Sequence, residues 1–268
     1  MRHNSLNRKL ITFIAFAFLA GCTSLAEDFS NKAEALKMKR NIVTGMRFQH
    51  AIYSKPGYPS KTLHVYLDGD GTPWAAGRPS DDPTPRNTLV LRLMALDKAP
   101  AVYVGRPCYH GVTAIGGCSS RFWLEDRYSE DVVTSLAAVI NNLLDQGSYQ
   151  KIAWFGHSGG GTLAVLLASR FQQTVSVVSV AANLDLEAWA AYTWHIDLSG
   201  SLNPAHLPTL PRSVFQRHYA GSEDKIVPPP LMAKTAAQLG SELIVIKGYN
   251  HVCCWEQLWP AVLDELSE

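Results

Sequence analysis

The pentapeptide Gly156-His157-Ser158-Gly159-Gly160 follows the apolar run Lys151-Ile152-Ala153-Trp154-Phe155 and precedes a small-residue stretch from Thr162 to Ser169. That order predicts a strand, a sharp turn and a helix, with Ser158 on the turn. A serine held there is pushed into a strained conformation that exposes its hydroxyl, and side chains in place of the flanking glycines would collide with the strand or the helix start. The chemistry on offer is nucleophilic attack. A Gly-x-Ser-x-Gly match also arises by chance in Gly-rich turns, so its meaning depends on the partners found elsewhere in the chain.

A nucleophilic serine needs a base to accept its proton and a carboxylate to orient that base. Downstream, Ser213 to Ala220 reads as a strand, and Gly221-Ser222-Glu223-Asp224 leaves its end. Prolines from Pro228 to Pro230 then open a helix. The β-rich run Glu242 to Ile246 ends at Gly248-Tyr249-Asn250-His251. Both candidates therefore lie just past the carboxyl end of a predicted strand, where open α/β sheets place their ligand crevice. Asp224 is the preferred acid, with Glu223 and Asp185 as alternatives. Among the nine histidines, His251 is the preferred base. His50, His64 and His218 fall inside predicted strands, and His157 packs beside the nucleophile. His110, His195 and His206 lie on irregular segments.

An acyl-transfer site also needs N–H donors for the tetrahedral oxyanion. One is the amide after the nucleophile, Gly159. The strand Leu63 to Leu67 leads into Asp68-Gly69-Asp70-Gly71-Thr72-Pro73-Trp74, which makes the Asp70 amide the second donor if its side chain points away. These residues together resemble the α/β-hydrolase superfamily of serine hydrolases, from about Arg47 to Glu268. The usual His-Gly ahead of the donor is here Asp68-Gly69, a departure from the pattern. A closer resemblance, to bacterial lipoprotein hydrolases of unassigned substrate, is carried by Gly105-Arg106-Pro107-Cys108, Asn183-Leu184-Asp185 and Ser201-Leu202-Asn203-Pro204. The resemblance implies a mostly parallel twisted sheet flanked by helices and a Ser158–His251–Asp224 triad. It does not imply a substrate.

Arg2, Arg8 and Lys9 precede an apolar run from Leu10 to Ala20, too short to span a bilayer comfortably and therefore read as a signal peptide. Leu19-Ala20-Gly21-Cys22 resembles a bacterial lipobox. Residues 1–21 would then be removed, Cys22 lipidated, and residues 22–42, mostly polar and helical in tendency from Ser24 to Arg40, would tether a catalytic domain spanning 43–268. Thr23 after Cys22 resembles the outer-membrane sorting pattern, which puts the protein on the periplasmic face of that membrane in a Gram-negative host. Such a compartment is oxidising. The remaining cysteines are Cys108, Cys118, Cys253 and Cys254. A Cys108–Cys118 bridge would restrain a Gly-rich loop, and Cys253–Cys254 could be a vicinal bridge or two thiols. No Cys-x-x-Cys spacing suggests a metal.

The formal net charge is +1 and no basic run follows the leader, so nucleic acid is an unexpected partner. Roughly 247 residues after processing suit one large domain. Strands are expected at Arg47–Tyr53, Thr62–Leu67, Ala101–Gly105, Lys151–Phe155, Thr174–Ala181, Ser213–Ala220 and Glu242–Ile246. Helices are expected at Arg86–Asp97, Glu130–Gln146, Thr162–Arg170, Leu231–Leu239 and Glu256–Leu266, with Ser129 capping the second. From Asn183 to Arg212 the rhythm breaks, and Trp189, Tyr192, Trp194 and His195 crowd a short cap-like excursion over an open cleft. Asp68, Trp74 and Arg106 are further cleft candidates. The expected activity is cofactor-free hydrolysis of a small-molecule ester or acyl substrate through an acyl-enzyme. A peptidase or amidase, or a non-catalytic envelope binding module on the same fold, are the alternatives. No protein partner can be inferred.

Overall fold

The computed structural model describes residues 23–112, 117–193 and 197–266. The expected signal peptide with Cys22, and the cap residues Trp194 and His195, lie outside the described residues.

The centre of the molecule is an eight-stranded sheet in the order β1-β2-β6-β3-β7-β8-β9-β10. Its strands are β1 (Lys39–Gly45), β2 (Phe48–Lys55), β3 (Thr62–Leu67), β6 (Ala101–Val104), β7 (Lys151–His157), β8 (Thr174–Val180), β9 (Phe215–Gly221) and β10 (Glu242–Ile246). Pairings from β6 through β3 to β10 are parallel, and only β1–β2 and β2–β6 are antiparallel. The central strand β7 is buried along nearly its whole length, as its unbroken apolar run requires for a parallel strand covered on both faces. A two-residue turn, Ala76-Gly77, with φ of 50° and 75°, closes a small hairpin of β4 (Trp74–Ala75) and β5 (Arg78–Pro79).

Helices cover both faces. On one side α3 (Glu130–Gly147), α4 (Gly159–Ala168) and α6 (Pro229–Gln238) contribute Leu136, Ile140, Leu163 and Met232 to the larger core. The Ser129 hydroxyl accepts from the Val132 amide at the start of α3, satisfying a donor the helix cannot satisfy itself. On the other side α1 (Leu25–Ala35), α2 (Leu89–Leu96) and α7 (Trp255–Asp264) pack Phe29, Leu93, Trp255 and Trp259 into a second core. Among the described residues between β8 and β9 lie one short helix, α5 (Leu186–Thr193), and a 3-10 turn at Pro204–His206.

Two elements differ from the sequence reading. Residues 22–42 were expected to tether the domain from outside its core, yet Phe29 and Ala33 on α1 are fully buried. Ser24 caps α1, its hydroxyl accepting from the Glu27 amide at 3.1 Å. The strand β1 was not foreseen either. It is an edge strand whose first four residues, Lys39-Arg40-Asn41-Ile42, are all exposed, so it has no buried periodicity to read, and its cations guard an open edge.

Candidate active site

Ser158 terminates β7 and begins α4 with φ 53° and ψ −126°, a conformation that costs a non-glycine residue about 1–3 kcal/mol. The turn is held by the Ser158 amide donating to the Val180 carbonyl at 3.0 Å. The tightness foreseen from the glycines is real: a Cβ on Gly156 would lie 2.3 Å from the Gly160 carbonyl oxygen.

Three distant residues meet at this turn. The Ser158 hydroxyl donates to His251 Nε2 at 3.0 Å. His251 Nδ1–H donates to Asp224 Oδ2 at 2.8 Å, which fixes the tautomer that leaves Nε2 free to accept. Asp224 is buried, and its other oxygen, Oδ1, accepts from the amides of Ile226 at 2.8 Å and Val227 at 2.9 Å. Glu223 instead faces solvent, and Asp185 caps α5, accepting from the Ala188 amide. Of the three acids considered, Asp224 alone reaches the imidazole.

His157 stands beside the base, its ring centroid 5.0 Å from that of His251. Its Nε2–H donates to the His251 carbonyl at 2.8 Å, and Trp255 Nε1–H reaches the same oxygen at 3.3 Å. The remaining histidines serve elsewhere. His50 is sandwiched between the Gly105 carbonyl and the Ser135 hydroxyl, and His218 lies against Ser179. His110 receives the Tyr103 hydroxyl, and His64 pairs with Asp97.

The candidate oxyanion donors flank the serine. Gly159 is the first residue of α4, so its amide has no partner within the helix. Gly69 lies against the nucleophile, where an added Cβ would be 3.1 Å from Ser158 Cβ, and the Asp70 amide follows directly. The Asp70 carboxylate is engaged in a buried cluster. Its Oδ1 accepts from Arg106 at 2.5 Å and from the Tyr128 hydroxyl at 2.6 Å, and Oδ2 accepts from Arg127 at 2.7 Å. The Tyr109 hydroxyl donates to the Asp70 carbonyl at 2.9 Å. Burial alone would raise the Asp70 pKa, but the Arg127 and Arg106 guanidiniums hold it well below the usual carboxylate range. The carboxylate packs so closely on Gly159 that a Cβ there would sit 2.1 Å from Asp70 Oδ1. Arg127, Tyr128 and Tyr109 were not singled out from sequence. The pairing partners lie 57, 58 and 39 positions from Asp70, beyond any local pattern.

A cleft of about 390 Å³ opens over Ser158 and His251, walled by Trp74, Trp189, Ile226 and Val252. Trp189 is anchored by its indole N–H to the Ile226 carbonyl at 2.8 Å. Asp68 borders the same cleft. Its Oδ1 accepts from the Gly69 amide at 2.8 Å, and Oδ2 is buried with no partner among the described residues. Cys108 and Cys118 are bridged, with Cα atoms 5.7 Å apart, and Cys253 and Cys254 form a vicinal bridge at the start of α7. Among the described residues no cluster could hold a metal ion, and no helix is long and apolar enough to cross a membrane.

A family model for the alpha/beta hydrolase fold matches residues 110–198, a span that contains the elbow but neither Asp224 nor His251. No curated protein matches the chain. Solved structures do. An alpha-beta serine hydrolase homologue from Coxiella burnetii has a TM-score of 0.59 at 18% identity, over 85% of this chain and 97% of that one. An a/b serine hydrolase without lid from Xanthomonas campestris gives 0.55 at 13% identity, over 85% and 95%. A puromycin hydrolase gives 0.60 at 18% identity, over 86% of this chain and 38% of that one. With the strand order, the elbow and these matches in agreement, the chain has the α/β-hydrolase fold.

Proposed function

We propose that this protein is a serine hydrolase that cleaves a carboxylic ester through an acyl-enzyme. The observation that carries the reading is the unbroken chain of hydrogen bonds from Ser158 Oγ through His251 to Asp224. His251 Nε2 takes the hydroxyl proton as Ser158 Oγ bonds to the substrate carbonyl carbon. Asp224 stabilises the imidazolium without itself becoming protonated. The amides of Gly159 and Asp70 hold the oxyanion. Collapse expels the alcohol, which takes the proton from His251, and a water activated by the same imidazole then releases the acid. An ester is the first choice because its leaving group needs the least help. The apolar cleft walls suit an acyl or aryl group.

A fluorophosphonate probe tests the class: we expect labelling of the wild type and none of Ser158→Ala. No labelling of the intact protein would favour a binding module instead. A panel of p-nitrophenyl esters against aminoacyl arylamides tests the bond, and faster cleavage of the arylamides would move the assignment to an amidase. The reading also includes attachment to the bacterial envelope through a lipidated Cys22, at the periplasmic face of the outer membrane in a Gram-negative host. Under it, Cys22→Ser yields a soluble form without detergent, and continued membrane attachment would refute lipidation.

A further inference from the structure

Four exposed large apolar side chains surround the mouth of the cleft: Trp74, Tyr192, Ile226 and Val252. Trp74, Ile226 and Val252 line the cleft itself, and the Tyr192 hydroxyl ties it to the same rim by donating to the Lys225 carbonyl at 3.1 Å. Trp74 stands on the β4–β5 hairpin, Tyr192 on α5, Ile226 on the acid loop and Val252 on the base loop. Four separate segments thus bring apolar surface to one place without burying it. Contiguous apolar surface rimmed by polar groups marks an interaction site, and here Arg86, Lys225 and Asn250 supply the polar rim.

The point at which the chain enters the fold lies on this face. The Ala26 amide, in the first turn of α1, donates to Asp82 Oδ2 at 3.0 Å. Asp82 belongs to the loop that continues into Pro85 and Arg86, both lining the cleft. The same loop is pinned beside the cleft floor, where the Thr72 amide donates to the Pro83 carbonyl at 2.9 Å. Cys22 precedes Ala26 by four positions, so at roughly 3.6 Å per residue it can stand no more than about 14 Å from that hydrogen bond. A domain of this size is roughly 45 Å across. An acyl anchor on Cys22 would therefore attach the molecule to a membrane beside the loop that borders the cleft.

We propose that the mouth of the cleft docks on a lipid bilayer, with Trp74, Tyr192, Ile226 and Val252 entering the headgroup layer. Aromatic side chains with one apolar and one polar end favour that depth. The substrate class that follows is an acyl ester resident in the same bilayer, which reaches Ser158 without crossing bulk water. The docking depends on the Cys22 anchor; the substrate clause rests in addition on the ester-hydrolase reading.

The test uses the full chain produced in a Gram-negative host and reconstituted into phosphatidylethanolamine–phosphatidylglycerol vesicles, with or without acyl chains brominated near the glycerol. The emission difference between wild type and Trp74→Phe isolates Trp74. Docking predicts that brominated lipid lowers this difference at least twofold and that aqueous acrylamide quenches it at least twofold less than in the Cys22→Ser protein without vesicles. A Trp74 signal untouched by bromine and open to acrylamide, as expected if a protein partner covered the rim instead, would overturn the proposal. So would a chain that fails to bind vesicles. Hydrolysis of a long-chain p-nitrophenyl ester in the vesicles and of soluble p-nitrophenyl acetate is measured alongside. Quenching without turnover of either ester would sink the esterase reading and leave the docking intact, whereas turnover with an unquenched Trp74 would sink the docking alone.

Discussion

An aspartate next to the place where the proposed mechanism puts an oxyanion is tolerable here because the Asp70 charge is paired with Arg106 and Arg127. Two guanidiniums pair with the Asp70 carboxylate behind the candidate donor amide, and the tyrosines lock both the side chain and the carbonyl of Asp70. Arg127→Met should therefore lower kcat by about a hundredfold, the lower end of what loss of an oxyanion donor costs, with KM changed less than about threefold. Steady-state kinetics beside a urea melt checks this; a kcat that falls only in step with the folded fraction would reduce Arg127 to a structural role. Asp224→Asn should cost about four powers of ten in kcat through the wrong His251 tautomer, and near-normal turnover would remove Asp224 from the triad. The hydroxyl, imidazole and carboxylate were legible in the sequence because each follows a recognisable strand. The cluster that holds Asp70 was not, because its members meet only after the chain has folded.

Elements were legible where the sequence carries an apolar run or a capped amphipathic pattern, whether fully buried like β7 or only half-buried like β10. The strand β7 and the helix α3 announce themselves through an apolar run and a capped amphipathic pattern. The helical tendency of residues 24–40 was readable, but α1 buries only a narrow stripe around Phe29 and Ala33 between charged residues, so its place in the core was not, and the largely exposed β1 carries no readable period. Phe29 nevertheless packs against Tyr53, Tyr103 and His110 with ring centroids 5.4, 5.3 and 4.5 Å away. Phe29→Ala should destabilise the fold by about 3–5 kcal/mol, measured by urea unfolding; a loss below about 1 kcal/mol would return α1 to the role of a loose tether. The Cys108–Cys118 bridge, with a sequence separation of 10, encloses Tyr109, whose hydroxyl holds the Asp70 carbonyl. The Cys108→Ser, Cys118→Ser double variant is expected to lose about 3 kcal/mol, and unfolding at unchanged stability would show that the bridge does not stabilise the fold.

For the molecule as a whole, acid is the expected weakness. Desolvation depresses the pKa of His50 to about 4, of His110 to about 3, with Arg40 adding to the effect, and of His218 to about 4. In the unfolded chain these residues titrate near 6.5, so between that pH and about 4 the unfolded state binds protons the folded state refuses. Their contribution to stability is intact above about pH 7 and is lost as the pH falls. By pH 5 each can cost up to about 2 kcal/mol. Urea midpoints at pH 7.5 and 5 measure this, and equal midpoints would mean the three imidazoles are not held neutral inside. The sheet order imposes a different constraint. Base and acid ride on neighbouring loops joined by the Glu223 amide to the Tyr249 carbonyl at 2.9 Å and the Gly248 amide to the Ser222 hydroxyl at 2.9 Å. Ser158, at the end of β7, is separated from the Asp224 loop after β9 by the strand β8. Any breathing between β8 and β9 would carry imidazole and carboxylate off together as one unit, restrained on the serine side by the His157 hydrogen bond to the His251 carbonyl, and a chimaera that transplants either loop must transplant both.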